Sequence, residues 1–190
     1  MKSVAVFCGA RHGARPEYTV AARELGTEIA KRGMTLVYGG GHVGLMGEVA
    51  DACLAAGGKV TGVIPDFMVA RELAMQNLTE LHVTDSMHTR KALMASRADA
   101  FIALPGGFGT LDELFEILTW RQVGLHGKPI GLLNTSNYYG SLLDFVSQAI
   151  SDGFVGERES AFLQVAGTAA AMLDALAKAP QPVRGEWERS

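Results

Sequence analysis

The chain is poor in the residues that staple, anchor or electrify a protein. It has two cysteines in 190 residues. Cys8 and Cys53 belong to no C-x-x-C pair, so neither a zinc nor a dithiol redox motif is present. They read as buried free thiols in a cytoplasmic protein. His12, His42, His82, His88 and His126 show no metal-ligand spacing, and no metal site is expected. No segment approaches the roughly 20 apolar residues of a membrane span. Lys2 is followed by a short strand-like run without an h-region or cleavage site, so no signal peptide is expected. Neither sign of charge dominates: the net charge is −3 and the pI about 5.9, so no basic field favours nucleic acid. No G-x-S-x-G elbow and no Ser/His/Asp set is evident.

What remains is globular, with 48% apolar and 19% charged residues. Its abundance is in glycine, 23 residues clustered where strands end. Apolar runs at 3–8, 35–38, 59–64, 81–83, 100–104, 129–133 and 164–166 read as strands. Helical patterns fill 16–32, 44–56, 87–98, 111–125, 138–152 and 168–178, and 65–79 has no clear period. Continuous apolar strands alternating with helices predict an α/β fold, a single-domain Rossmann-like doubly wound sheet, mainly parallel, with helices on both faces. The domain spans 1–179, and the polar segment 180–190 reads as a flexible tail. Ligands of such sheets sit beyond the carboxyl ends of the strands. Gly9-Ala10-Arg11, Gly39 to Gly44 and Pro105 to Thr110 should therefore gather on one rim.

Pro105-Gly106-Gly107-Phe108-Gly109-Thr110-Leu111-Asp112-Glu113 is the most informative stretch. A strand, a glycine-rich turn and a helix N-terminus make an anion site, because free N–H groups point at the ligand and glycine lets it approach. The same turn delivers a carboxylate, Glu113. Thr110-x-x-Glu113 is also a capping box, which would occupy both side chains in holding the helix end. The glycines exceed what a cap needs and suit an anion cradle. Gly39-x-Gly41-x-x-Gly44 matches the dinucleotide fingerprint, but in the second strand-helix unit. Gly39, Gly40, Gly41 and Gly44 read as a candidate phosphate or ribose loop, or as a tight packing turn, ahead of a nicotinamide site. In the helix 87–98, Arg90 and Arg97 fall about 20° apart on the wheel with Lys91 about 100° away. That basic face is either solvated or turned to an anion.

Four blocks together resemble one family: Gly39-Gly40-Gly41-x-x-Gly44-Leu45-Met46-Gly47; Met87-His88-x-Arg90-Lys91-x-x-Met94; Ala98 through Glu113; and Leu118-Thr119-Trp120. Their order and content are similar to the LOG ("lonely guy") family, cytokinin riboside 5′-monophosphate phosphoribohydrolases whose members have often been labelled lysine decarboxylases. The resemblance runs from about Ser3 to the terminal helix. It implies hydrolysis of the N-glycosidic bond of N6-modified AMP or AMP, releasing free base and ribose 5-phosphate. It implies no cofactor and no pyridoxal phosphate chemistry. By family pattern, substrate contacts fall at Glu72, Arg90, Lys91, Gly107, Phe108, Gly109, Thr110, Leu111, Asp112 and Thr119, and catalytic roles at Arg97 and Glu113. Asp112 stands where many relatives carry a second glutamate, and Phe108 replaces a frequent tyrosine. The family is dimeric or larger, so a homodimer with its site near the subunit boundary is implied, with Leu118, Trp120 and Leu125 either at that interface or in the core. A non-catalytic nucleotide-binding or sensor module and an NAD-dependent oxidoreductase are the competing classes.

Overall fold

The computed structural model describes residues 1–69, 74–156, 159 and 161–179. The elements follow in strict alternation: β1 (Ser3–Phe7), α1 (Pro16–Lys31), β2 (Thr35–Tyr38), α2 (Gly44–Ala55), β3 (Lys59–Pro65), the single turn α3 (Asp66–Val69), β4 (Glu80–Thr84), α4 (Met87–Arg97), β5 (Ala100–Ala103), α5 (Phe108–Gln122), β6 (Ile130–Leu133), a 3₁₀ turn (Thr135–Asn137), α6 (Gly140–Ser151), β7 (Leu163–Ala166) and α7 (Ala169–Lys178). The strands form one seven-stranded sheet in the order β4-β3-β2-β1-β5-β6-β7. Every pairing in it is parallel. The doubly wound α/β fold read from the sequence is the fold observed. The weak Gln164–Ala166 signal is the edge strand β7.

Period-two alternation along buried strands splits the core into two layers. Val4, Val6 and Cys8 face one side, where Leu25 and Ile29 of α1, Val49 and Cys53 of α2, and Met172 and Leu176 of α7 close over them. Ala5 and Phe7 face the other, against Met94 of α4, Leu114 and Ile117 of α5, and Tyr139 ahead of α6. Leu118 and Trp120 pack against this second layer, while Leu125 is 70% exposed.

Of two helix starts that bear on the site, α4 begins where its sequence pattern puts it and α5 does not. Ser86 caps α4: its side chain accepts from the Thr89 N–H, and the Thr89 hydroxyl answers the Ser86 N–H. Helix α5 begins three residues earlier than its apolar period, with Gly107 as N-cap and no side-chain cap. Thr110-x-x-Glu113 is therefore not a capping box. Both residues lie inside the helix, and their side chains are free for other work.

The order of strands reverses between β1 and β5. β1 leads outward to β2, β3 and β4, whereas β5 begins the opposite wing. The connections leaving β1 and β5 diverge to opposite faces and open a crevice at the carboxyl ends of those two strands, the place where open α/β sheets bind ligands.

Candidate active site

Three loops close around this crevice. The Gly9 N–H donates to Pro105 O at 3.1 Å, and the Leu45 N–H at the start of α2 donates to Gly9 O at 3.0 Å. Between them is a cavity of about 730 Å³, within the ~300–1,000 Å³ usual for small-molecule sites. Its walls come from Cys8 to Gly13, from Leu45 and Met46, from Met68, Met87 and Arg90, from Pro105 to Thr110 with Glu113, and from Tyr18 and Tyr138.

The cavity wall holds a buried ion pair. Arg90 Nη1 donates to Glu113 Oε1 at 2.7 Å, with the two side chains 8% and 9% exposed. Arg90 Nε donates to Val63 O at 3.1 Å, which fixes the guanidinium plane. Glu113 Oε2 has no hydrogen-bond partner among the described residues, so one oxygen of a nine-tenths buried carboxylate stands free on the cavity wall. Burial raises the Glu113 carboxyl above its ordinary value, and the Arg90 charge opposes that rise. Burial and the neighbouring Glu113 charge also push the Cys8 thiol up, so it stays protonated at neutral pH.

Beside the pair stands the open N-terminus of α5. The first i→i−4 bond of the helix runs from Leu111 N to Gly107 O at 3.1 Å, so the N–H groups of Phe108, Gly109 and Thr110 precede the ladder. A Cβ at Gly107 or Gly109 would meet nothing within 4 Å. Packing does not demand glycine there, and the space over the backbone is open. Tyr138 braces the turn through a hydrogen bond from its hydroxyl to Gly106 O at 2.5 Å and an edge contact with Tyr18.

The sequence candidates separate on this geometry. Arg90, Gly107, Phe108, Gly109, Thr110 and Glu113 line the cavity together. Leu111 turns toward the second core layer. Lys91 Nζ lies 3.1 Å from Asp112 Oδ2 and 3.0 Å from Glu116 Oε1, an ion cluster between α4 and α5 outside the cavity. Thr119 is exposed on α5, its hydroxyl bonded to Phe115 O. Glu72 lies outside the described residues.

Arg97 is not brought to Glu113. Helix α4 runs back from the ligand rim, and seven residues carry Arg97 about 10 Å along it. There its carbonyl accepts from Ser3 Oγ at the amino end of β1, and its Nη1 pairs with Glu80 Oε2 at 3.0 Å. The wheel correctly put Arg90 and Arg97 on one side but carries no axial coordinate.

The Gly39–Gly44 loop also lies off the cavity wall. A Cβ on Gly44 (φ +58°) would come within 2.3 Å of Ala10 C and Arg11 N, and one on Gly39 within 2.3 Å of Arg90 Nη2. These glycines let the second loop clamp the first and leave room for the Arg90 guanidinium. Their service to the site is indirect, by close packing.

Residues 46–176 match the family model described as "Possible lysine decarboxylase". LOGL5 of Oryza sativa subsp. japonica, a probable cytokinin riboside 5′-monophosphate phosphoribohydrolase, is 49% identical over 172 residues, covering 90% of this chain and 70% of that protein. LOG7 of Arabidopsis thaliana, a cytokinin riboside 5′-monophosphate phosphoribohydrolase, is 51% identical over 154 residues, covering 81% and 71%. The chain belongs to the LOG family. Among solved structures, the molybdenum cofactor carrier protein of Chlamydomonas reinhardtii aligns with a TM-score of 0.71 at 23% identity over 93% of this chain and 96% of that one, a likeness of fold.

Within this LOG-family site, sequence reasoning missed the apolar wall made by Met46, Met68 and Met87, the two tyrosines and Cys8. Met46 and Met87 stood in the family blocks without an assigned role, and Met68 carries no local signal. Cys8 had one, since it is the last inward-facing residue before the first rim loop.

Proposed function

We propose that this chain hydrolyses the N-glycosidic bond of AMP and N6-modified adenosine 5′-monophosphates, releasing the free base and ribose 5-phosphate. The observation that carries the reading is the Arg90–Glu113 pair at the strand-order reversal, with one free carboxylate oxygen beside an uncapped helix N-terminus.

The reaction leaves positive charge on the sugar carbon C1′ as the bond to purine N9 lengthens. A carboxylate at that carbon stabilises the oxocarbenium-like state and orients the attacking water. Water adds its hydroxyl to C1′, the C1′–N9 electron pair leaves with the base, and the water proton neutralises that base. Glu113 Oε2 is the oxygen available for this, while Arg90 holds Oε1 and keeps the carboxylate charged against its burial. The catalytic role that the family pattern gave to Arg97 falls to Arg90 in this reading. The α5 N-terminus suits the 5′-phosphate, and the methionine wall suits an apolar N6 substituent.

A Schiff-base decarboxylase fits these residues poorly: among the described residues no lysine lines the cavity, and Lys91 is held by two carboxylates. A homodimer with its site near the boundary is supported by an exposed stripe on α5, where Phe108 is 93%, Phe115 41% and Val123 62% exposed. Thr119 lies on this stripe and would reach a neighbouring copy's nucleotide. Two buried, unbridged thiols support a cytoplasmic location. We read 1–179 as one catalytic domain.

Chromatography of reactions with AMP and N6-isopentenyl AMP tests the reading. Free base released by the wild type and not by Glu113→Gln is expected. No release from either nucleotide by folded protein would overturn it and favour a binding module.

A further inference from the structure

The cavity contains a cation that the family pattern did not supply. Its wall carries three basic side chains, Arg11, His12 and Arg90. Two of them already have carboxylate partners. Arg90 is bound to Glu113 and Val63 O. His12 Nε2 lies 3.1 Å from Glu48 Oε1, and Glu48 is held in turn by Arg23. Lys91, expected at the substrate, is held by Asp112 and Glu116 and does not line the cavity. Arg11 makes no ion pair and no side-chain hydrogen bond among the described residues.

The backbone that bears Arg11 is fixed although its side chain has no partner among the described residues. Gly44 packs against the Ala10–Arg11 peptide, Leu45 N holds Gly9 O at 3.0 Å, and Gly9 N holds Pro105 O at 3.1 Å. The last bond ties the Arg11 loop to the turn that opens α5. A guanidinium without a partner among the described residues and the three helix N–H groups that precede the α5 ladder thus share one rim of one cavity. The net result is a cavity with excess positive potential at the rim and a neutralised pair deeper in.

We propose that Arg11 is a specificity-determining residue that binds the 5′-phosphate of the substrate jointly with the α5 N-terminus, and so selects nucleoside monophosphates over nucleosides. This rests on the phosphoribohydrolase reading of the site. The planar fork of a guanidinium matches a phosphate dianion bidentately. Arg11 sits on the loop after β1 and the N–H groups on the turn after β5, so the phosphate would bridge the two sides of the strand-order reversal. The ribose then spans toward Glu113.

Two measurements on Arg11→Ala and Arg11→Lys test this. Steady-state kinetics compare AMP with adenosine. Titration calorimetry measures ribose 5-phosphate binding in a Glu113→Gln background, where no turnover occurs. For Arg11→Ala the preference for AMP over adenosine should fall about 10- to 100-fold, mainly through KM for AMP, the scale of one charge-assisted pair. Ribose 5-phosphate affinity should fall alike, and Arg11→Lys should recover part of both. A KM for AMP and a ribose 5-phosphate affinity each within twofold of the Arg11 parent would overturn the proposal. If no nucleotide is hydrolysed even by the wild type, the phosphoribohydrolase reading fails alone, and the titration still decides whether Arg11 holds a sugar phosphate. Circular dichroism confirms folding, which loss of an exposed side chain without a partner among the described residues should not disturb.

Discussion

At the scale of single residues, the proposed function assigns the chemistry to Glu113 and the control of its charge to Arg90, its ion-pair partner. Glu113→Gln keeps the volume and an acceptor for Arg90 while removing the charge. It should lower kcat by about 100-fold or more, near 3 kcal/mol of barrier, with thermal unfolding unchanged within a few degrees. An unchanged kcat would leave Glu113 a structural partner of Arg90. The pH profile adds a second test. Burial raises the Glu113 carboxyl, and the ionised form is the active one. Activity should therefore fall on acidification through a limb lying above the ordinary glutamate value of about 4.3. Arg90→Met removes the opposing charge, so the surviving limb should move to still higher pH. A limb at or below the ordinary value in the wild type would contradict the assignment.

At the scale of elements, loop-on-loop packing places the site. Gly39→Ala drives a methyl group into the Arg90 guanidinium, which it would approach to 2.3 Å. A catalytic-site misplacement of this kind should lower kcat by about 10- to 100-fold, with substrate binding less affected. Gly44→Ala combines a left-handed φ of +58° with a backbone clash at 2.3 Å. It should cost at least about 2 kcal/mol, read as a fall of about 4 °C or more in Tm. Both results would separate close packing from the ligand contact that the glycine spacing first suggested.

The segment after α5 carries its own pH signature. His126 bonds Ile117 O at 3.0 Å and accepts from Lys128 N at 3.1 Å, and burial pushes its ring down to about 4. The unfolded ring takes a proton near pH 6.5, so the folded state binds fewer protons between these values. Stability is thus present above about pH 6.5 and lost as pH falls toward 4. Partial solvation limits the effect to about 1–2 kcal/mol. Denaturant melts of the wild type and His126→Gln at pH 7 and 5 should show the loss in the wild type alone.

For the whole molecule, the order β4-β3-β2-β1-β5-β6-β7 makes the crevice, and the exposed stripe on α5 points outward beside it. Sedimentation should give a dimer or larger species. Leu125→Glu with Val123→Glu, at positions 70% and 62% exposed, should yield monomers with reduced hydrolysis and an intact fold. A wild-type monomer with full activity would remove the subunit boundary from the mechanism.

Much of this was legible before any coordinates. Strand burial, helix alternation and the glycine turn are local properties, because apolar runs, period and backbone freedom act within a few residues. They determined the α/β class, the three rim loops and the arrival of Glu113 beside the glycine turn, and the block order gave the family. The tertiary structure decided what depends on distance through space. It began α5 at Phe108 and so released Thr110 and Glu113 from capping. It set Arg90 and not Arg97 against Glu113, because a helix that runs back from the rim carries a residue seven positions further on to the amino ends of the strands. It tied Lys91 to α5 and left Arg11 without a partner among the described residues. Sequence spacing fixes which side of a helix a charge occupies. Only the packed fold decides which opposite charge it meets, because that partner arrives from a distant part of the chain.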